Sequence, residues 1–204
     1  MDDNEAIRVY RRVGHFEKGK WVPEETLKIY RDEFPESPRE WDNVSRMVCF
    51  HRGYNLGDKH DYKSNDFSGW DELEETLIED EGAHLIYPLS LYDHGGITIF
   101  IGEPNDPWDS GRVGFVYVTK KMIEKVWGEV TPETEALAEK CLRAEVKEYD
   151  QYIQGNVYGY VIEDADGEEI DSCWGYYGDD IIDVIVEEVG FTEKDGAVEI
   201  YSKW

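Results

Sequence analysis

Four residues are best placed to do chemistry in this chain: His60, Asp93, His94 and Asp109. His60 sits between Asp58 and Asp61 in one polar loop. Asp93 and His94 end the apolar run YPLSLY and precede Gly95-Gly96, and Asp109 shares the segment PNDPWDSG with Asp106. Carboxylates and imidazoles delivered from loops at strand ends are how many metal-dependent hydrolases and nucleases assemble their sites. The same residue types also make ordinary turns, in which Asp93 would cap backbone donors and His94 would pack at a corner. No histidine pair has HxxxH or HExxH spacing, and there is no P-loop, GxGxxG or GxSxG. Zincin, nucleotide-cradle and nucleophile-elbow chemistry therefore receive no support, and no cofactor is expected. Cys49 and His51 would share a strand face, yet a buried thiol is normally inert. Trp174, Tyr176 and Tyr177 of DSCWGYYGDD could stack on a ligand ring, or pack a hairpin onto a helix.

The elements that must hold these residues read as α+β. A helix is predicted over 22–33, where Pro23 and two glutamates suit a first turn. SRMVCFH (45–51) reads as a strand that is apolar on both faces, suited to the middle of a covered sheet. Helical spacing of Trp70, Leu73, Leu77 and Ile78 predicts a helix over 69–81 with an acidic outer face. Strands follow at 84–92, 97–101 and 113–119, then a short helix in KKMIEKVWG. The longest helix should run over 132–153, with Thr131 as N-cap and Pro132 in the first turn. A hairpin at 156–163 and 169–176 turns on Asp-Gly. A helix over 179–189 and a last strand in AVEIYSK complete the series. The expectation is a single α+β domain with a mainly antiparallel sheet packed by several helices. Residues 1–36 are expected as a near-neutral arm or first elements, and 37–204 as the acidic domain.

Charge is the strongest compositional feature. The 204 residues hold 47 acids against 21 bases, a net charge of −26. Residues 1–60 are almost neutral, whereas between Ser64 and Gly111 there are 12 acids and no Lys or Arg. Such a chain is a poor direct ligand for nucleic acid, whose binders gain affinity by replacing phosphate counterions with basic side chains. No 18-residue apolar stretch exists, so no membrane span is expected. MDDNEAIRVYRR has no apolar core, so no secretory signal is expected, and three scattered cysteines suit a reducing cytoplasm.

Five blocks in order carry a resemblance: SPREWDNVSRMVCFHRGYNLGDKHDY (37–62), LIYPLSLYDHGGI (85–97), PWDSGRVGFVYV (107–118), RAEVKEYDQYIQGNVYGYVIED (143–164) and DSCWGYYGDD (171–180). Together they resemble a family of uncharacterised proteins carried by bacteriophages and integrative mobile elements. The chain departs from that pattern in reading YDHGGI where the family usually has YDHSGI, and in a longer segment before residue 37. The resemblance implies a setting, a cytoplasmic accessory protein of mobile DNA, and no catalytic residue.

Three functions fit these features, the third being a structural or interaction module with no inhibitory role. The first is binding of a basic host protein, such as a nucleic-acid-binding defence nuclease, by carboxylates that imitate phosphates. Its surface would be Glu72, Glu75, Glu79, Asp80 and Glu81 on one helix, with Asp179, Asp180, Asp183, Glu187 and Glu188 on another. The second is a metal-dependent hydrolase or nuclease using His60, Asp93, His94 and Asp109.

Overall fold

The computed structural model describes residues 6–22, 24–104, 106 and 108–203. The fold is α+β, with antiparallel sheets packed by helices, as the patterning predicts. It divides into two compact units: residues 1–36 with 155–204, and residues 37–154.

The first unit is a five-stranded antiparallel sheet. Its strands are β1 (Arg8–Arg12), β4 (Glu25–Arg31), β9 (Val157–Asp164), β10 (Glu169–Tyr177) and β11 (Ala197–Ser202), in the order β10-β9-β4-β1-β11. A small hairpin of β2 (His15–Glu17) and β3 (Lys20–Val22) joins β1 to β4. Helix α4 (Ile181–Glu188) buries Ile182, Ile185 and Val186 against Tyr10, Leu27, Ile29, Tyr160 and Ile162. The helix predicted over 22–33 is therefore a strand, with β1 on one side and β9 on the other. Leu27 and Ile29 alternate with Lys28 and Tyr30, a period of two that places one pair on α4. Thr26, Ile29 and Tyr30 favour extended backbone, and the pairing on both edges outweighs the helix-like first turn at Pro23-Glu24-Glu25. Gly159 in β9 leaves room for the Trp174 ring, since a Cβ there would overlap it.

The second unit is a four-stranded antiparallel sheet with helices on both faces. The order is β5 (Arg46–Cys49), β8 (Ser110–Thr119), β6 (Ala83–Asp93) and β7 (Ile97–Ile101). Alternation decides which side chain meets which layer. Val48, Phe115 and Tyr117 meet Leu73 and Leu77 of α1 (Trp70–Glu79). Met47, Cys49, Val116, Val118, Leu89 and Leu91 meet Ala138, Leu142, Val146 and Tyr149 of α3 (Pro132–Gln154). Ile123 of α2 (Lys120–Trp127) joins that second core. Each buried leucine contributes about 1.5–3 kcal/mol through area removed from water. Thr119 caps α2 by accepting from the Met122 amide, and Gly128 ends it in the left-handed region.

β5 is apolar on both faces, as predicted, but it lies at the sheet edge. The segment 56–58 closes that edge: the Asp58 amide donates to the Met47 carbonyl and the Met47 amide to the Asp58 carboxylate, at 2.9 and 2.8 Å. An ion network fixes this arrangement. Arg39, with its side chain 3% exposed, donates to Asp58 at 2.8 and 3.0 Å and to the Ser45 carbonyl at 2.8 Å. Its other nitrogen lies 3.6 Å from Glu145 of α3. Glu145 accepts from the Val44 and Ser45 amides and from the Ser45 hydroxyl.

Burial raises the Glu148 carboxyl above its ordinary range, and the Glu145 charge adds to this. The folded state therefore holds this proton more tightly than the unfolded chain does. That contribution to stability is full below the ordinary glutamate range and is lost as pH rises through the raised value. Glu148→Gln is expected to raise the melting temperature at pH 7 and leave it unchanged near pH 3.5, read by circular dichroism.

Among the described residues, no helix is long and apolar enough to cross a membrane.

Candidate functional site

The structure brings three of the four candidate residues to one corner of the second unit. β6 ends at Asp93, and Gly95 at positive φ turns the chain into β7. The Asp109 loop leads into β8, and the Asp93 amide donates to the Asp109 carbonyl at 2.8 Å. The His94 Nδ1 lies 3.3 Å from the Asp109 carboxylate. The Tyr54 hydroxyl lies 3.3 and 3.5 Å from the two Asp93 oxygens. The Asp93 charge raises the Tyr54 pKa, so the phenol stays protonated and donates. Tyr54, Tyr92, His94, Thr98, Ile153 and Gln154 line an open groove of about 560 Å³ beside this corner. His94 has a side chain 70% exposed to solvent, which leaves its ring well hydrated.

His60 does not join them. Its Nε2 is 3.1 Å from the Cys49 carbonyl, and its ring packs edge-on against Phe50 and beside Tyr62. The loop that carries it folds onto an aromatic cluster, which takes the imidazole away from the corner. Among the described residues no three His, Cys, Asp or Glu side chains converge to hold a metal ion. Asp58 belongs to the Arg39 network. Asp106 caps its own turn, accepting from the Trp108 and Asp109 amides at 2.9 and 3.3 Å.

The other candidates resolve into packing. Burial pushes the Cys49 thiol up to about 12, so it is protonated at neutral pH. His51 spends its Nδ1 accepting from the Gly53 and Tyr54 amides. Trp174 lies beside Tyr30, Tyr176 beside Tyr160, and the Tyr177 hydroxyl donates to the Glu36 carbonyl at 2.5 Å.

Comparison with protein-family models, with curated proteins and with solved structures returns no match.

The acidic candidates divide between the two units. Glu72, Glu75, Glu79 and Asp80 are exposed on and just past α1, in the second unit. Asp179, Asp180, Asp183, Glu187 and Glu188 are exposed on and before α4, in the first. Glu81 is instead half-buried, accepting from the Tyr62 hydroxyl at 2.8 Å with Arg46 at 3.6 Å, so it belongs to an internal pair. Glu72 accepts hydrogen bonds from Ser68, and the Ser68 hydroxyl first and its amide second lower the Glu72 pKa. Lys120 and Lys121 line a groove with Ile78 and Glu81, so the end of α1 has basic neighbours. The lopsided charge along the chain does not survive folding. Residues 1–36 and 155–204 together hold 23 acids and 9 bases, and residues 37–154 hold 24 and 12. The near-neutral N-terminal strands are built into the same sheet as the acidic C-terminal ones.

Two groups went unnoticed in the sequence. Tyr54 stands in the YNLGD block 39 residues before its partner Asp93, with no spacing to join them. Phe50 and Phe67 form, with Trp70, an apolar pocket beside α1, and Trp70 also packs against the Val48, Leu73 and Phe115 core as its helical spacing predicts.

Proposed function

We propose that this protein acts by binding a basic partner protein, with its acidic helices standing in for the phosphates of a nucleic acid. The observation that carries this reading is the charge density of α1. The helix holds Asp71, Glu72, Glu74, Glu75 and Glu79 within ten residues and contains no base. At a rise of about 1.5 Å per residue, that is one carboxylate per ~3 Å of axis. A single DNA strand carries one phosphate per ~3.4 Å. α4 adds a second acidic segment in the other unit. Each acidic helix by itself steers a basic groove toward it and raises the rate of encounter. The phage or mobile-element setting that the sequence blocks imply supplies a class of partner, a host defence nuclease with a basic nucleic-acid channel. The hydrolase reading is favoured less, because His60 is committed elsewhere and His94 with Asp109 forms a pair rather than a metal cage.

The test is binding of the full chain to an arginine-rich peptide by titration calorimetry. Affinity is expected to fall steeply from about 0.05 to 0.5 M salt, as the Debye length shortens from ~14 to ~4 Å. The variant Glu72→Gln/Glu75→Gln/Glu79→Gln is expected to bind at least about tenfold more weakly at low salt. Wild-type affinity that ignores salt, or a neutralised helix that binds equally well, would overturn the proposal.

A further inference from the structure

Beside the acidic helix lies a pocket of about 120 Å³, roughly the room one side chain needs. Its wall is Phe50, Phe67 and Trp70, closed by Leu73, Ser64 and Gly69. The three rings form one cluster, with Phe50 6.2 Å from Phe67 and 6.5 Å from Trp70 between centroids. The cluster continues through Tyr62, 5.8 Å from Phe67. These rings are only partly buried, so the pocket opens at the surface.

Two occupants suit an aromatic wall: an apolar side chain, or a cation attracted by the ring quadrupoles. The surroundings choose between them. Asp66, Asp71 and Glu72 are exposed on the residues that flank the pocket, and hydrogen bonds from the Ser68 hydroxyl and amide lower the Glu72 pKa. The N-terminus of α1 points the other way, with roughly half a positive charge, and the three carboxylates outweigh it. Lys63 is the one base in the neighbouring stretch 61–81. The chain already seats a guanidinium on the same cluster: Arg112 lies 5.5 Å over the Phe115 ring, which meets Trp70 edge-on. Among the described residues, the other arginines that lie over rings take Phe191, Tyr158 and Tyr87.

We propose that the Phe50–Phe67–Trp70 pocket receives an arginine side chain of the basic partner, with Asp71 and Glu72 at its mouth. This rests on the binding reading above and deepens it: the carboxylates steer the partner, and the pocket fixes its register on α1. A buried aromatic–arginine contact is the usual anchor of an interface, while exposed charges govern encounter.

The experiment uses the full chain, with ring signals of Phe67 and Trp70 followed by NMR during titration with N-acetyl-arginine amide, N-acetyl-lysine amide and N-acetyl-leucine amide. Saturable shifts are expected with the arginine compound, weaker ones with lysine and none with leucine. Shifts driven by leucine, or no shift with any of the three, would overturn the pocket assignment. In parallel, Phe67→Leu and Trp70→Leu are compared with wild type for the arginine-rich peptide. Either variant that keeps the wild-type circular dichroism is expected to lose about tenfold in affinity with an unchanged salt dependence. Unchanged affinity in both variants would overturn the pocket and leave the acidic-surface reading standing. Wild-type binding that fails outright while the amide shifts persist would remove the acidic-surface reading alone.

Discussion

Arg39→Met is expected to destabilise the protein by about 3–5 kcal/mol, the cost of breaking a buried pair and leaving its partners charged. Arg39 is almost fully buried and holds Asp58 in a two-pronged contact, with Glu145 behind it. Methionine fills much of the volume and removes only the charge. Asp58 would then carry its charge beside the Met47 amide alone, and the segment covering the β5 edge would lose its clamp. Chemical denaturation with urea reads the loss as a lower midpoint at constant slope. The double variant Arg39→Met/Asp58→Leu is expected to recover much of it, because removing both members of a buried pair is far less harmful than removing one. A single variant within about 1 kcal/mol of wild type would contradict this account of the network.

Gly114→Val carries the other large expectation. Gly114 faces Cys49 across the β8–β5 pairing. A Cβ at this position would fall far inside contact distance of the Val48 carbonyl oxygen, and 2.9 Å from the Cys49 Cα. Backbone atoms of a paired strand cannot move aside as a flexible side chain can. The substitution must separate β5 from β8, exposing Val48 to water on one face of the sheet and Met47 on the other. Loss of more than about 4 kcal/mol follows, in the range reserved for named core defects. The measurement is the fraction folded at 25 °C by near-ultraviolet circular dichroism. A soluble variant with native signal and a midpoint near wild type would show that the strand pairing tolerates the extra carbon.

What the sequence made legible were elements with a clear period. The stripe of Ala138, Leu142, Val146 and Tyr149 marks α3 without ambiguity, since its apolar face recurs over about three turns of one surface. β4 was misread because its first residues mimic a helix start, while its strand character comes from partners on both sides, one of them β9 more than a hundred residues later. β5 showed its two apolar faces but not its position at the edge, because the covering segment 56–58, Leu-Gly-Asp, is too short and irregular to read as a strand. At the corner, Asp93, His94 and Asp109 were legible as acids and an imidazole at strand ends. His60 had the same signature, yet its environment is decided by Phe50 and Tyr62, rings just past a strand and on a loop whose meeting no local pattern announces.

The first sheet has a consequence for how the chain is made. Arg31 of β4 pairs with Tyr158 of β9, so these strands are joined as a hairpin whose loop is the entire second unit. On a ribosome, β1 and β4 emerge early with Leu27 and Ile29 uncovered. Their cover, α4, and their flanking strands, β9 and β11, follow only after residues 37–154 have been synthesised. At bacterial or eukaryotic translation speeds that interval is on the order of ten seconds. By its end the second unit has every strand and helix it needs to fold, whereas β1 and β4 still have an apolar face without its cover. Maturation thus reverses sequence order: the inserted unit has its partners first, and β1 and β4 wait for β9, α4 and β11.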